Sequence, residues 1–240
     1  MSVIGVGIAL FLGCILQCIT GMGLALVAAP LLIIFLGEHD GVMLLQVIGV
    51  IVCAVSAKTL WHEVDKAKLI RIFIPATIGL IPGILFAHFV APKVLDVVLG
   101  IATLIALILG KLVTHSRLMA GPAGAPIAGG ASGFLNVCAG IGGPPLVIYA
   151  HCIEWEYRSY VATAQAYFTG LNLLSLIMSL IAHGVPIFEN SVWFVAAACS
   201  IGGFVAAHYL HDYLPEKRAG QLVYVIAFLG AGAVLVRGLV

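Results

Sequence analysis

The strongest constraint on this chain is a succession of uninterrupted apolar stretches, most of them close to the ~20 residues that a helix needs to cross a bilayer. They occupy 3–19, 24–36, 41–60, 69–90, 93–113, 127–139, 145–152, 160–182, 192–211 and 220–240. Of 240 residues, 62% are hydrophobic and 9% charged, where a soluble domain carries about a quarter charged. No aqueous fold buries that much apolar side chain, so most of the solvent must be lipid. Backbone polar groups in lipid have to be satisfied internally, by helices or by a closed barrel. Barrel strands alternate apolar and polar residues, and these runs do not. The expected fold class is an all-α polytopic membrane protein, and its loops are too short to hold a soluble domain.

Charge and cysteines exclude other classes. A net charge of +1 offers nothing to nucleic acid. Five of the six cysteines (Cys14, Cys18, Cys53, Cys138 and Cys199) sit inside apolar runs and Cys152 ends one, with no C-x-x-C pair and no zinc spacing. Cys14 and Cys18 share a helix face but lack further ligands, so they read as small core residues. Neither a metal nor a cofactor is expected. No Lys or Arg precedes the first run, as it would in a cleaved signal, so that run reads as the first structural segment.

The second half echoes the first. A shift of 119 residues lays Gly21 on Gly140, Gly23 on Gly142, Gln17 on Asn136, Gln46 on Gln165 and Ser56 on Ser175. A shift of 120 lays Gly83 on Gly203 and His88 on His208. Matching glycines are cheap in a membrane protein; matching intramembrane amides and histidines are not. The chain therefore reads as a duplication: repeat 1 over 1–118, a Gly/Pro/Ala linker over 119–126 and repeat 2 over 127–240. Each repeat is expected to be a Gly-broken, re-entrant-type hairpin followed by three transmembrane helices.

Charge decides the relative orientation. If each broken stretch is a hairpin, the repeats are inverted, and nine of the eleven Lys and Arg residues fall on one side; if each crosses once, the division is seven to four. The positive-inside rule prefers the inverted arrangement, with loop 58–71 cytoplasmic and both termini outside. Runs 24–36 and 145–152 are short for a crossing and fit half-helices that stop near the midplane.

Inverted repeats with interrupted helices mark secondary transporters, and the breaks point to the substrate site. A half-helix that begins inside the membrane exposes unpaired N–H groups and the positive end of its dipole, which suit an anion. Glycine permits close approach to the backbone, and Pro144 and Pro145 stand where a missing N–H costs little. The expected substrate-binding set is Gln17, Thr20, Gly21, Met22, Gly23 and Gln46 in the first half. In the second it is Asn136, Gly140, Ile141, Gly142, Gly143 and Gln165. The two tips are expected to meet midway. His88 and His208 are candidate proton carriers, and Tyr149 and His151 candidate path residues. For His88 and His208 the plainer reading is a hydrogen bond near a helix end. For lone glycines such as Gly83 and Gly203 it is close helix packing. Lys68 and Arg71 either attract anions to an entrance or simply set topology.

Gly21-Met22-Gly23-Leu24 and Ala29-Pro30-Leu31 in the first half, with Ser132-Gly133-Phe134 and Gly140-Ile141-Gly142-Gly143 in the second, resemble the paired motifs of the TauE/SafE family. That is the family of sulfite exporters and toluene-sulfonate uptake permeases, and length, duplication and short loops extend the resemblance over the whole chain. It departs from the family pattern at Leu24 and Ala25, where further glycine is typical, and at Pro144-Pro145. The resemblance implies a plasma-membrane transporter of sulfur oxyanions, such as sulfite or organosulfonates like sulfoacetate, and not an enzyme. The residues agree on "anion": no Asp or Glu lies deep in a run, Asp96 being near a segment start. The expected partners are a small anion, the bilayer and a second copy of the chain in a homodimer. Three other readings stand beside this one: an anion channel of the same architecture, a scaffold, and an intramembrane protease. The last would use Ser132 of Gly130-Ala131-Ser132-Gly133 as nucleophile and His183 or His208 as base.

Overall fold

The computed structural model describes the backbone at all positions except 1–2, 22, 92, 95–96, 99, 102–103, 106–107, 109–115, 187, 211–215 and 240. Side chains at 38, 208, 216–220, 224, 234 and 237–238 are also outside the described set. Among the described residues every regular element is helical. The helices are α1 (Val3–Thr20), α2 (Gly23–Leu36), α3 (Glu38–Thr59), α4 (Lys66–Phe89), α5 (Gly124–Ala139), α6 (Gly143–Cys152), α7 (Tyr157–His183), α8 (Asn190–Leu210) and α9 (Glu216–Leu239), with short turns at Trp61–Glu63 and Arg117–Ala120. Five of them are long and apolar enough to cross a membrane. The chain is a multi-pass helical membrane protein.

Two helices begin earlier than the apolar pattern predicts. α5 starts at Gly124 and α6 at Gly143, each ahead of prolines: Pro126 in one, Pro144 and Pro145 in the other. First-turn N–H groups have no intrahelical acceptor, so proline there forfeits nothing. The expected linker at 119–126 accordingly runs into α5.

Small residues bring two helix pairs into backbone contact. A Cβ on Gly129 or Gly133 of α5 would strike the carbonyl of Ile72 or Ala76 on α4, and one on Gly83 would strike Val137. Residue numbers rise together across the contact, so α4 and α5 run parallel. α1 and α8 pack in the same sense: a Cβ on Gly7 would meet Val195 and Cys199, and one on Gly203 would meet Phe11 and Cys14. The packing reading of Gly83 and Gly203 holds. Between these pairs α3 and α7 run antiparallel, with Gly49 against Asn172 and His39 against His183.

The ends of the bundle are capped by polar contacts. The Asp65 carboxylate accepts from the Lys68 backbone N–H at 3.0 Å and from its ammonium at 2.6 Å. The Asp65 N–H donates to Thr163 Oγ1 on α7 at 2.9 Å. Lys68 also stands 4.9 Å from the Trp155 ring, so it is already engaged.

Two outcomes follow. Gly133→Val should force α4 and α5 apart and destabilise the protein by about 1–3 kcal/mol in detergent thermal unfolding. Gly232→Ala, where an added Cβ meets nothing within 4 Å, should be silent. The side-chain and then the backbone hydrogen bonds from Lys68 hold the Asp65 carboxyl below the usual carboxylate range. Its contribution is therefore present above the ordinary pKa and lost as pH falls through the lowered one. Asp65→Ala should cost about 1 kcal/mol at neutral pH, and the gap from wild type should close on acidification.

Candidate functional site

Both breaks have the same local geometry. Gly21 (φ 78°) and Gly140 (φ 71°) are left-handed, the conformation that ends a helix most cheaply at glycine. Each donates its N–H one turn back, Gly21 to the Gln17 carbonyl and Gly140 to the Asn136 carbonyl, both at 2.8 Å.

The two left-handed glycines rest on different helices. Gly21 packs on Val161 in the first turns of α7, and Gly140 packs on Val42 and Leu45 in the first turns of α3. Because α3 and α7 are antiparallel, these positions lie toward opposite ends. Between them, residues flanking both breaks border one space.

Gln17, Gln46, Asn136, Gly140 and Gly143 line one cavity of about 20 Å³, together with Leu24, Cys53, Phe168 and Asn172. No charged side chain lines it among the described residues. A larger cleft of about 550 Å³ lies beside loop 60–65, lined by Lys58, Trp61, His62, Leu69 and Thr169. It touches neither break and none of the buried amides, so size does not mark the chemical site here.

The four amides divide by what they bond. Gln17 is fully occupied: its Nε2 donates to the Gly21 carbonyl (3.0 Å) and to Gln165 Oε1 (3.1 Å), with Cys53 Sγ at 3.4 Å. Its Oε1 accepts from the Leu24 N–H (3.1 Å), and Gln165 Nε2 returns a bond to the Gln17 carbonyl (3.1 Å). Gln17 thus caps α2, consuming a donor expected to be free, and Gln165 clamps it. Asn136 Nδ2 donates to Asn172 Oδ1 (3.1 Å) and Ser175 Oγ (2.9 Å). Gln46 is 1% exposed, and neither its Oε1 nor its Nε2 has a hydrogen-bond partner among the described residues.

Other expected residues lie elsewhere. Thr20 Oγ1 returns to the Leu16 carbonyl, and Gly23 seats α2 closely on α1 at Leu16 and Gln17. Ile141 is buried packing, and the Gly142 carbonyl accepts from Ser132 Oγ at 2.6 Å. Ser132 in turn accepts from the Tyr167 hydroxyl at 2.8 Å. Its described partners thus include no histidine, which removes the support for a nucleophile. Tyr149 packs edge-on to Trp155, and His151 is exposed; neither lines the cavity. His88 sits against His183. Met22 and the His208 side chain lie outside the described residues.

Asn172 and Cys53 were not foreseen. The same 119-residue shift lays one on the other, so a search for like residues in both halves passes over them. An amide inside an apolar helix was itself the available signal.

The profile of the sulfite exporter TauE/SafE family matches residues 6–234. The chain belongs to the TauE/SafE family. No curated protein and no solved structure matches it. Membership makes it a membrane transport protein of the sulfite-exporter type, and in this TauE/SafE chain the cavity carries neutral amides where a salt-bridged site would carry charges.

The amides separate in a stability measurement. Gln17→Leu strands the Leu24 N–H, the Gly21 carbonyl and Gln165, and should cost at least about 1–3 kcal/mol. Gln46→Leu removes two unpartnered atoms at nearly constant shape and should leave the melting temperature unchanged or raise it. Equal losses in both would contradict the assignment.

Proposed function

We propose that the chain exports small sulfur-containing oxyanions, sulfite or organosulfonates such as sulfoacetate, across the plasma membrane by alternating access. The observation that carries this reading is Gln46, a buried amide with both polar atoms unpaired at a cavity bounded by Gly140 and Gly143. A buried polar group without a partner is costly; at about 20 Å³ the cavity in this arrangement admits a water-sized guest, and the opening that alternating access requires lets an oxyanion take its place. The N-terminus of α6 opens on the same cavity at Gly143 and favours negative charge. Donors without fixed charge hold an anion while still releasing it.

The two halves, 1–118 and 127–240 with 119–126 between them, act in this reading as inverted repeats. Two features support it. The first helix of each half packs parallel to the fourth helix of the other, α1 with α8 and α5 with α4, and both hairpins break at a left-handed glycine with the same bond one turn back. Bodies so related rock between two arrangements around a fixed site. The uneven Lys and Arg distribution supports a cytoplasmic loop 58–71 and external termini. The cell interior is negative, and moving one charge through 100 mV is worth about 2.3 kcal/mol, so efflux of an anion needs no coupling ion.

Proteoliposomes loaded with labelled sulfite or sulfoacetate test this under imposed potential and imposed pH gradients. Efflux should follow the potential. Gln46→Leu should slow it about ten- to a hundredfold, the loss of one hydrogen bond to a charged guest, without loss of fold. Asn136→Gln, one methylene longer, should reach Gln46 and slow efflux as well. Transport that ignores potential and follows the pH gradient would sink the uncoupled mechanism.

A further inference from the structure

Three of the chain's eight histidines meet at the end of the molecule opposite the Trp61–Glu63 turn. His39 stands at the start of α3, His88 near the end of α4 and His183 at the end of α7. The His39 and His183 rings stack with centroids 3.9 Å apart, and the His88 ring lies 5.5 Å from that of His183. His183 Nε2 is shut off from solvent and has no hydrogen-bond partner among the described residues.

His39 and His183 line a small pocket with Ser179 of α7, Cys138 of α5 and Val42 of α3; α4 contributes Ala87. The Cys138 thiol donates to the Gly83 carbonyl. No carboxylate is among the described residues lining the pocket, and Asp40, next to His39 in the chain, is not one of them. A proton taken up here meets two further imidazoles; the side chain of Glu38, the other neighbour of His39, lies outside the described residues.

A polar stripe on one face of α7 runs from the central cavity to the pocket. Asn172, Ser175, Ser179 and His183 follow one another at spacings of three, four and four along the C-terminal half of the helix, and the first three are buried. Asn172 and Ser175 hold Asn136 at the cavity, while Val42 borders both the pocket and Gly140.

Resting on the oxyanion reading above, we propose that the His39–His88–His183 cluster is a second anion site, through which the oxyanion passes between the central cavity and this end of the protein, and that it holds the anion when protonated. Imidazole titrates in the physiological range. An oxyanion supplies the missing counter-charge and an acceptor for the His183 N–H. Binding linkage is reciprocal: protons tighten the anion by the same factor by which the anion tightens protons.

The test is calorimetric binding of ethanesulfonate, whose charge is constant over the range, with sulfite alongside. The protein is purified wild type, His183→Gln and His88→Gln, from roughly pH 8 to pH 5.5. Wild type should bind about tenfold more tightly at the acid end, and each variant should flatten that dependence while melting normally. His88 is the more exposed, so its replacement is the safer for folding. Ethanesulfonate should also move the imidazole proton resonances of the cluster to a higher titration midpoint. Anion binding that is independent of pH in wild type, or equally pH-dependent in both variants, overturns the second site and leaves the central one standing. Absence of binding of either anion at every pH, with Gln46→Leu indistinguishable from wild type, overturns both.

Discussion

A helix that stops inside lipid leaves backbone groups that only the protein can satisfy, and each one left unpaired costs on the order of several kcal/mol. This chain breaks two helices and meets the constraint differently each time. At the first break one side chain does most of the pairing: Gln17 gives a bond to the Gly21 carbonyl and takes one from the Leu24 N–H, so the end of α1 and the start of α2 close on the same amide. At the second, Ser132 supplies the donor for the Gly142 carbonyl, and Pro144 and Pro145 remove two N–H groups from the start of α6. Both solutions need the broken hairpin held still. The backbone contacts do that, binding α5 to α4 and α1 to α8 through glycine, where no flexible side chain intervenes. The cavity lies at the seam between the two blocks, with α3 and α7 as its remaining walls.

Lipid accounts for how much was legible in the sequence. Among the described residues the long continuous apolar runs give helices to within a few residues, because a run without alternation cannot be a barrel strand and only the helix is left; much of run 93–113 lies outside the described residues. Gly21 and Gly140 are legible for the related reason that a break there is an exception. Boundaries shifted where glycine and proline dilute the apolar pattern without stopping the helix: from Gly124 and from Gly143 the first turn already forms, with the prolines inside it. The seating of the breaks was not legible. It depends on which turn of α3 or α7 each glycine rests against, a property of packing and not of pattern.

Gln17, Gln46 and Asn136, singled out by residue type, line one cavity, but the sequence is silent about what each amide does there. Thr20 was chosen for its hydroxyl and its nearness to the break, yet that hydroxyl bonds the carbonyl four residues back, as threonine in a helix often does. Gln165 was expected beside the guest and is instead spent on Gln17. Residue type marks a polar group inside lipid; only the network tells whether that group is already satisfied.

The decisive asymmetry is one methylene long. Across the 119-residue shift, the counterpart of the Gln17–Gln165 bond would join Asn136 to Gln46, and the counterpart of the Gln17–Cys53 contact joins Asn136 to Asn172. Asparagine is shorter than glutamine by one carbon, and only the second of these contacts forms. Asn136 turns to Asn172 and Ser175, and the amide that would have been its partner is left buried with nothing to bond. Two equal clasps would have sealed both breaks and filled the cavity with amide–amide bonds. The shorter side chain keeps one clasp open, and under the function proposed above the unpaired Gln46 is the group a guest would bond.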